Sequence, residues 1–554
     1  MQTPILSNRT YIFLFSLLGL VYIAGLFVPL MDNDSGHHAD IALRMYLTGD
    51  YVTLYDHRGD YIDKPHFLFW ASAMSYHIFG VTSFAYRFPS FLFTILGTYS
   101  IFRLGKELYG REIGKLAALI AASSFCYILA NNDVRMDAIL TAAIAFATWQ
   151  LVAYVHHRKF IFLLGAALGM AIGFCTKGHV GLVTPVAGIF FYILYKRDWK
   201  LLFDWHWLIV IFFFAVFISP VVYCYYLQFN LHPEKISQGI KGVNGVKYIL
   251  WSHSFDRIKG AERFGAVGKE DHFFFLHTFL WTFAPWSFLA FIALFIRLKN
   301  FFATKEEWLS TGVFVMLAAL INFSNFKLPH YLPILAPATS LIVAHLFVSR
   351  WNDERWRKAF YIIQLSSSVL LLATATLVNT WAFPIKNTLV LIGFIFFLAV
   401  VFYFFLSKMY NNIQRSITIS VAAIALFFFL ANTNFYPQLL TYQGGKPLAD
   451  LTRSIADPKN VFFWKNTFSS TYNFYSASNR QLYNDSLKQT GKSFWLIYEK
   501  SQQQEIDSLG LQSGKTFSVP DYEITRLKKG FIAPDTRRET LDTMIMTEIP
   551  GRKN

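Results

Sequence analysis

Charged side chains are concentrated in one stretch of an otherwise apolar chain. Residues 28–70 follow the first long apolar segment and read VPLMDNDSGHHADIALRMYLTGDYVTLYDHRGDYIDKPHFLFW. The stretch contains Asp32, Asp34, His37, His38, Arg44, Asp50, Asp56, Asp63 and Lys64. Because charge at a membrane edge is costly and is usually kept for function, we interpret this stretch as the roof and one wall of a catalytic cavity.

Three cations from distant parts of the chain suit the binding of a phosphate. Lys64 precedes a proline, Lys177 stands between two apolar segments, and Arg257 lies in a polar loop. Arginine offers paired donors to a phosphate, and lysine offers a point charge. A carboxylate such as Asp34 beside them would act as a general base on an acceptor hydroxyl or amine. Together these groups predict group transfer from a lipid phosphate.

Several charged residues of the chain also have an interpretation that involves no chemistry. Asp32 and Asp34 would only end the first helix in water, and Lys64 would extend towards the membrane interface. Arg135 and Asp137, two residues apart, would form an internal ion pair. The stretch from Ala39 to Tyr46 (residues 39–46) is expected to form a short amphipathic helix in either case.

A metal site is the less favoured alternative for the two adjacent histidines. His37 and His38 with a nearby aspartate are suitable ligands. Neighbouring residues on a helix point in different directions, however. We therefore expect no metal and no other cofactor, and a divalent metal remains the alternative.

The composition is that of an integral membrane protein. Of 554 residues, 54% are hydrophobic and only 15% are charged, against about 25% charged in soluble proteins. The formal charge of +16 is better explained by cytoplasmic loops and anionic lipids than by nucleic acid, so we expect no nucleic-acid partner. Cys126, Cys175 and Cys224 all lie in apolar runs, which argues against a disulfide framework.

Thirteen segments match the length that a spanning helix requires. They are residues 11–31, 84–104, 113–130, 137–155, 160–175, 179–196, 205–226, 272–296, 308–324, 328–347, 358–378, 385–406 and 414–432. With all thirteen, the Lys- and Arg-rich short loops fall on one side, which the positive-inside rule makes cytoplasmic. The N-terminus is then cytoplasmic, and the loops 31–83 and 227–271 face outward.

The last 121 residues change to the composition of a soluble domain. We expect a membrane domain over residues 1–433 and an outward-facing α/β domain over residues 434–554. The apolar runs at residues 461–464 and 494–498 are typical of buried strands.

An ordered series of short motifs carries a family resemblance. It comprises Asp34, Arg44, Thr48-Gly49-Asp50-Tyr51, Asp63-Lys64-Pro65, Tyr86-Arg87-Phe88-Pro89, Thr176-Lys177-Gly178, the segment 251–257, Phe283-Ala284-Pro285-Trp286-Ser287 and Lys327-Leu328-Pro329-His330-Tyr331-Leu332-Pro333. This series resembles the GT-C glycosyltransferases of the protein O-mannosyltransferase and aminoarabinose lipid A transferase type. The resemblance implies the polytopic helical GT-C fold, with about thirteen helices and a small C-terminal α/β domain.

The resemblance also implies an activity and a site. Such enzymes move a sugar from a polyprenyl phosphate carrier to an acceptor at the outer face of the inner membrane, usually with inversion. By position, Asp34 would be the catalytic carboxylate, and Lys64, Lys177 and Arg257 would hold the donor phosphate. The expected cavity-lining residues are Asp32, His37, His38, Arg44, Asp63, Asp137, His253, His330 and Tyr331.

Three positions depart from the family pattern. The family often has Asp-Glu where this chain has Asp34-Ser35, and Glu-Lys-Pro where it has Asp63-Lys64-Pro65. His253 stands where the family often has a glutamate. The first departure bears on handling of the acceptor, which is a lipid A or envelope glycolipid in one branch of the family and a protein hydroxyl in the other.

Two other classes of function compete with a transferase. A carrier-linked sugar transporter or flippase would use buried charges to line a path across the membrane, and transporters often contain inverted repeats. No such repeat is visible in the sequence, and the charges gather on one face. A lipid-binding scaffold without chemistry is the third class.

Overall fold

The chain folds into a bundle of long apolar helices followed by a small α/β region. The structure is a computed structural model, and it describes residues 4–237, 239–253, 271–303, 306–324, 327–479, 481–489, 491–511 and 513–551. The bundle helices are Asn8–Leu26 (α1), Asp34–Thr48 (α2), Phe67–Phe79 (α3), Ser83–Tyr109 (α4), Arg111–Ala122 (α5), Phe125–Asn132 (α6), Asp137–His157 (α7), Phe160–Lys177 (α8), Val180–Lys196 (α9), Trp207–Tyr225, Phe274–Thr282, Ser287–Lys299, Leu309–Phe323, Ala336–Ser349, Glu354–Leu377, Thr388–Leu406 and Asn412–Leu430.

The described part of the chain contains eight helical runs long and apolar enough to cross a membrane, or nine if α5 and α6 count as one span bent by 53°. Each of the thirteen predicted segments coincides with a helix or a broken pair of helices. Some of these are shorter or more polar than a simple span, such as α4, which contains Arg87 and Pro89. The total of thirteen spans stays a prediction.

Glycines let the helices that carry Lys177 approach closely. A Cβ added to Gly181 on α9 would lie 2.3 Å from the carbonyl carbon of Gly173 on α8, which is a steric clash. Small residues allow this kind of backbone contact between membrane helices. The tight α8–α9 pair holds Lys177, the last residue of α8, at its connecting turn.

The opening stretch forms a capped helix, α2, that begins at Asp34. Its N-cap is Asn33, whose Oδ1 accepts a hydrogen bond from the Ser35 N–H at 2.8 Å. Asp34 in the first turn is favoured by the helix dipole. The helix ends at Gly49, whose φ of 70° is left-handed and favours glycine. The predicted amphipathic helix at residues 39–46 is confirmed as part of α2.

Two small hairpins accompany this helix. β1 (Tyr55–Asp56) pairs with β2 (Gly59–Asp60), and β3 (Ile236–Ser237) pairs with β4 (Ile240–Lys241), both antiparallel. The Ser237 hydroxyl donates to the Asp60 carbonyl oxygen at 2.9 Å. The two loops that the sequence predicts to face outward are therefore joined to each other.

The C-terminal region contains a four-stranded mixed sheet. Its strands are β5 (Val461–Phe463), β6 (Phe494–Glu499), β7 (Thr516–Asp521) and β8 (Asp542–Ile549), in the spatial order β5-β6-β8-β7. β5 and β6 are parallel, and β8 is antiparallel to both of its neighbours. The two predicted strands are confirmed as β5 and β6, whereas β7 and β8 were not foreseen. The domain boundary at residue 433 stays a prediction.

The C-terminal region packs directly on the opening stretch. The Asp32 carboxylate accepts hydrogen bonds from the Ser469 hydroxyl at 2.5 Å and the Thr471 N–H at 3.3 Å. Asn473 donates to Asp40 on α2 at 3.1 Å, and Tyr475 accepts from the backbone of residue 30 at 2.7 Å. A shared hydrophobic cluster extends from α2 to the sheet.

Arg87 on α4 fixes the chain between α1 and α2. Its guanidinium is fully buried and donates to the carbonyl oxygens of Val28, Pro29 and Asn132, the last two at 3.1 and 2.6 Å. The planar group satisfies three carbonyls from two segments at once. Arg87 thus sets where the segment leading to Asp34 leaves the bundle.

Replacing this arginine is expected to destabilise the protein. Arg87→Ala leaves two buried carbonyls and one partly buried carbonyl without their donor, and a hydrogen bond to a charged group contributes about 1.5–3 kcal/mol. We expect a loss of at least about 3 kcal/mol, measured as a lower thermal unfolding midpoint in detergent. Arg538→Ala, at an exposed arginine, should change stability by less than about 0.5 kcal/mol. Equal midpoints for the two variants would contradict this role for Arg87.

Candidate active site

A cavity of about 1100 Å³ lies between the bundle and the C-terminal region. Its wall is built by the start of α2, the α6–α7 connection, the turn Pro329–Leu335 and the segment after β7. The side chains that carry charge or imidazole groups on this wall are Asp32, Asp34, His37, His57, Asp133, Arg135, Asp137, His330, Asp521, Glu523, Arg526 and Asp542.

Asp34 and Arg135 form the central ion pair of the cavity. Arg135 Nη1 lies 2.6 Å from Asp34 Oδ2 and 3.2 Å from Nδ1 of His330. Arg135 Nε also lies 3.1 Å from an Asp133 oxygen. The Asp34 side chain is 50% exposed, whereas Arg135 is only 18% exposed. One oxygen of Asp34 is thus held while the carboxylate still faces the cavity.

The surroundings keep Asp34 ionised. Burial by itself would raise its pKa, but His38, Arg135 and Lys64 together outweigh burial and lower the pKa below that of an ordinary aspartate. Burial lowers the pKa of His38 to about 3, so this imidazole is neutral at neutral pH, where Arg135 and Lys64 are the cations that keep Asp34 ionised. Asp32 differs from Asp34, since burial raises the pKa of Asp32 despite its hydrogen bond from Ser469.

Lys64 and Lys177 approach the same corner from separate elements. Lys64 Nζ lies 2.5 Å from its neighbour Asp63, and Lys177 Nζ lies 2.6 Å from Asp137. Lys177 also lies 4.3 Å from the centre of the Tyr331 ring, close enough for a cation–π contact. Lys64, Arg135 and Lys177 all act electrostatically on His330. These three cations therefore lie near enough to His330, a residue of the cavity wall, to influence it.

The predicted lining residues divide into two groups. Asp32, His37, Asp137 and His330 belong to the cavity wall, and the others lie behind it or beside it. His38 is 3% exposed and packs on Phe69.

The remaining predicted residues contact neighbours of the wall. Arg44 donates to the backbone oxygen of Asp56 at 3.3 Å. Buried His253 donates from Nε2 to the backbone oxygen of Asp63 at 2.8 Å, and thereby supports the turn that carries Lys64. Arg257 lies outside the described residues, so its predicted phosphate contact stays a prediction, as do the roles of the other residues.

Arg135 is the important site residue that the predicted set omitted. An ion pair with Asp137 was the simple interpretation, but Arg135 pairs with Asp34 and Asp133, whereas Asp137 pairs with Lys177. Arg135 is a cation on the predicted outer face, as Lys177 is, so the same argument could have found it. Residues 521–527 also belong to the cavity wall, but no sequence feature of this segment indicates that it lies there.

One group of described residues has the geometry of a metal site. A ligand atom from each of His37, Asp56 and His57 lies within 4.8 Å of the other two. The adjacent His38 is not in this group, although its ring lies 5.9 Å from the His37 ring.

Comparisons with known proteins support the fold. The family described as Dolichyl-phosphate-mannose-protein mannosyltransferase matches residues 63–224. The chain is similar over its whole length to the crystal structure of ArnT from Cupriavidus metallidurans bound to undecaprenyl phosphate, with a TM-score of 0.75 and 15% identity. The similarity covers 99% of this chain and 100% of that one. The predicted fold is confirmed.

Two sequence relatives extend the comparison. The chain is 27% identical over 350 residues to the undecaprenyl phosphate-alpha-4-amino-4-deoxy-L-arabinose arabinosyl transferase of Edwardsiella ictaluri, covering 61% of this chain. It is 25% identical over 324 residues to a protein of uncharacterised function from Aquifex aeolicus, covering 58% of this chain. The matched part spans 60% of the length of each relative.

The Lys177–Asp137 pair is expected to matter for stability. The Lys177 side chain is 11% exposed and the Asp137 side chain 4% exposed, so Lys177→Met leaves a buried carboxylate unpaired. Breaking a buried pair costs about 3–5 kcal/mol, and we expect a loss near the lower figure in thermal unfolding without ligand. The double variant Lys177→Met/Asp137→Asn should recover most of it.

An exposed pair provides the control for this effect. Lys465 and Glu505 lie 2.6 Å apart with side chains 55% and 53% exposed. Lys465→Met should therefore cost less than about 1 kcal/mol. If Lys177→Met costs no more than Lys465→Met, the buried pair does not contribute as described.

Proposed function

We propose that this chain is a membrane glycosyltransferase of the GT-C type, because the mannosyltransferase family model matches residues 63–224 and the fold is similar to that of ArnT. It moves a sugar from a polyprenyl-phosphate donor to an acceptor at the outer face of the bacterial inner membrane. The observation that carries this proposal is the ionised Asp34, which faces a large cavity beside Lys64, Arg135 and Lys177.

The donor phosphate is assigned to the cationic corner. Lys64 and Lys177 each hold a carboxylate close by, and a phosphate that enters this corner would share or replace these partners. Fixed positive charge at the leaving group stabilises the negative charge that develops there in the transition state. Arg257 is a third proposed donor to the phosphate.

Asp34 is assigned to the acceptor nucleophile. The nucleophile forms a bond to the anomeric carbon of the sugar while the bond from that carbon to the phosphate oxygen breaks. Asp34 takes the proton that the nucleophile loses, and polyprenyl phosphate leaves with the electron pair. The lowered pKa keeps Asp34 ionised at neutral pH, so the carboxylate can orient the nucleophile and accept its proton once positive charge develops on the attacking atom. Attack opposite the leaving group inverts the anomeric centre.

The acceptor is expected to contact the C-terminal wall of the cavity. Glu523 and Arg526 belong to that wall, as Asp34 belongs to the wall of the same cavity, and they form an ion pair at 3.3 Å. A lipid A-type or other envelope glycolipid is the proposed acceptor class, because the ordered motifs of this chain resemble those of the aminoarabinose lipid A transferases. A protein hydroxyl is the alternative acceptor.

A polyprenyl-linked sugar transporter is the second candidate function. It would require the charged cavity to open in turn to both membrane faces, as a translocation path does. Movement of a labelled carrier across vesicles without product formation would favour it. Product formation without carrier movement favours the transferase.

Asp34→Asn is expected to abolish most transfer. The substitution keeps the size of the side chain but removes the negative charge, and loss of a general base costs about 10²–10⁴-fold in rate. We expect this loss in kcat for transfer by purified protein with a polyprenyl-phosphate sugar, detected by mass spectrometry of the acceptor. Binding of the polyprenyl phosphate should persist.

Asp50→Asn is the matched control in the same outward loop. Asp50 accepts hydrogen bonds from the N–H groups of Val52 and Thr53, which an asparagine oxygen can also accept. Its transfer rate should stay within about twofold of the original protein, since surface changes are usually small in effect. Transfer by Asp34→Asn at the control rate would exclude Asp34 as the base.

The pH dependence of transfer is expected to respond to Arg135. Activity requires ionised Asp34, so kcat/KM should fall as the pH drops through the lowered pKa of this group. Arg135→Gln removes one charge that lowers the pKa, so the acid limb should move to higher pH. An acid limb that does not move, or that moves to lower pH, would show that Asp34 does not govern it.

A further inference from the structure

A second chemical site lies on the edge of the cavity, one helical turn from Asp34. It is formed by His37 on α2, Asp56 at the end of β1 and His57 in the following turn. We propose that these three side chains bind a divalent zinc ion. The site stands on its own geometry and does not depend on the proposed transferase activity.

The ligand atoms are already close to the spacing that zinc requires. With bonds of about 2.0–2.1 Å and tetrahedral geometry, neighbouring ligand atoms lie about 3.3 Å apart. His37 Nε2 and Asp56 Oδ2 are 3.2 Å apart. The rings of His37 and His57 have centroids 5.8 Å apart, and all three ligand atoms fall within 4.8 Å of one another. Small side-chain rotations would therefore complete a three-ligand set.

The chemistry of the donors favours zinc over harder cations. Two imidazoles and one carboxylate suit zinc, whereas magnesium and calcium prefer oxygen ligands. Three protein ligands leave a fourth position for water. Both histidines belong to the wall of the cavity, so an ion can enter the site from the cavity.

The carboxylate is oriented by its own turn. The Arg58 N–H donates to Asp56 Oδ1 at 2.7 Å, which leaves Oδ2 directed at His37. Support of this kind from outside the ligand set orients a ligand before the metal binds. The Arg58 guanidinium also lies 2.9 Å from Oδ2, but this side chain is 62% exposed. It can therefore turn into solvent when a cation takes its place.

The position of the site gives zinc a clear structural effect. It would cross-link the β1–β2 hairpin to α2, the helix that begins with Asp34. His57 also stacks on Phe468 of the C-terminal region, with ring centroids 3.8 Å apart. A bound ion would thus fix the relative positions of the catalytic helix, the hairpin and the C-terminal wall.

Metal content of the full-length protein tests the proposal. The purified protein is stripped with chelator, loaded with zinc chloride, separated from free ion by gel filtration, and measured by elemental mass spectrometry. We expect the stoichiometry to fall by one zinc per chain in His57→Ala, with an affinity at this site roughly 100-fold weaker or more. The second variant, Asp56→Asn, should lose the same ion while it keeps its size and can still accept from the Arg58 N–H.

Control variants separate this site from other histidines. His232→Ala changes an exposed histidine beside Glu234, and His156→Ala changes one beside Glu107 at the far end of α7. Both should retain the ion that His57→Ala loses. Cobalt substitution gives a second readout, since a tetrahedral site produces an absorption band that His57→Ala should lack.

Two results would overturn the proposal. One is a zinc stoichiometry that is the same in the original protein, His57→Ala and Asp56→Asn. The other is no retained zinc in the original protein after loading, in which case the three residues and Arg58 form only an ion-pair network. Gel-filtration profiles identify misfolded variants. If His57→Ala misfolds, the result for folded Asp56→Asn decides.

Discussion

The contact between Asp34 and Arg135 is the interaction on which the cavity depends. It joins the first residue of α2 to the α6–α7 connection, about a hundred residues later in the chain. It also allows a carboxylate to remain ionised at a partly buried position, where burial alone would favour the neutral acid. His330, on a third element, lies against the same guanidinium. Arg87 helps to position Asp34, because it donates a hydrogen bond to Pro29 in the segment that leads into α2.

The C-terminal region is part of this arrangement and not only an appendage to it. Ser469 and Thr471 bind Asp32, two residues before Asp34, and Asn473 binds Asp40 on the same helix. Residues that follow β7 then close the cavity. A structural change in the C-terminal sheet would therefore alter the contacts that hold the start of α2. Through these contacts the C-terminal region, which we propose contacts the acceptor, is coupled to the helix that carries Asp34.

Much of the fold could be predicted because its signals are local. Runs of about twenty apolar residues suffice to predict the thirteen long segments of the bundle, and the short helix at residues 39–46 had the right amphipathic pattern. The ion-pair partner of a charged residue is not a local property of the sequence. Asp137 lies only two residues from Arg135 in the chain, but Arg135 pairs with Asp34. The helix break at residues 133–136 directs the arginine towards α2. The contact of Asp32 with Ser469 joins residues 437 apart, and β7 lacks the buried apolar run that revealed β6.

A structure of this protein with bound undecaprenyl phosphate would show directly which residues hold the phosphate and whether Asp34 faces the space beside it. We expect the phosphate to lie within hydrogen-bond distance of both Lys64 and Lys177, with the Asp34 carboxylate facing the adjoining space of the cavity. A phosphate held elsewhere, with Lys177 still bound only to Asp137 and Lys64 only to Asp63, would contradict it. The same structure would show whether Arg257 reaches the phosphate.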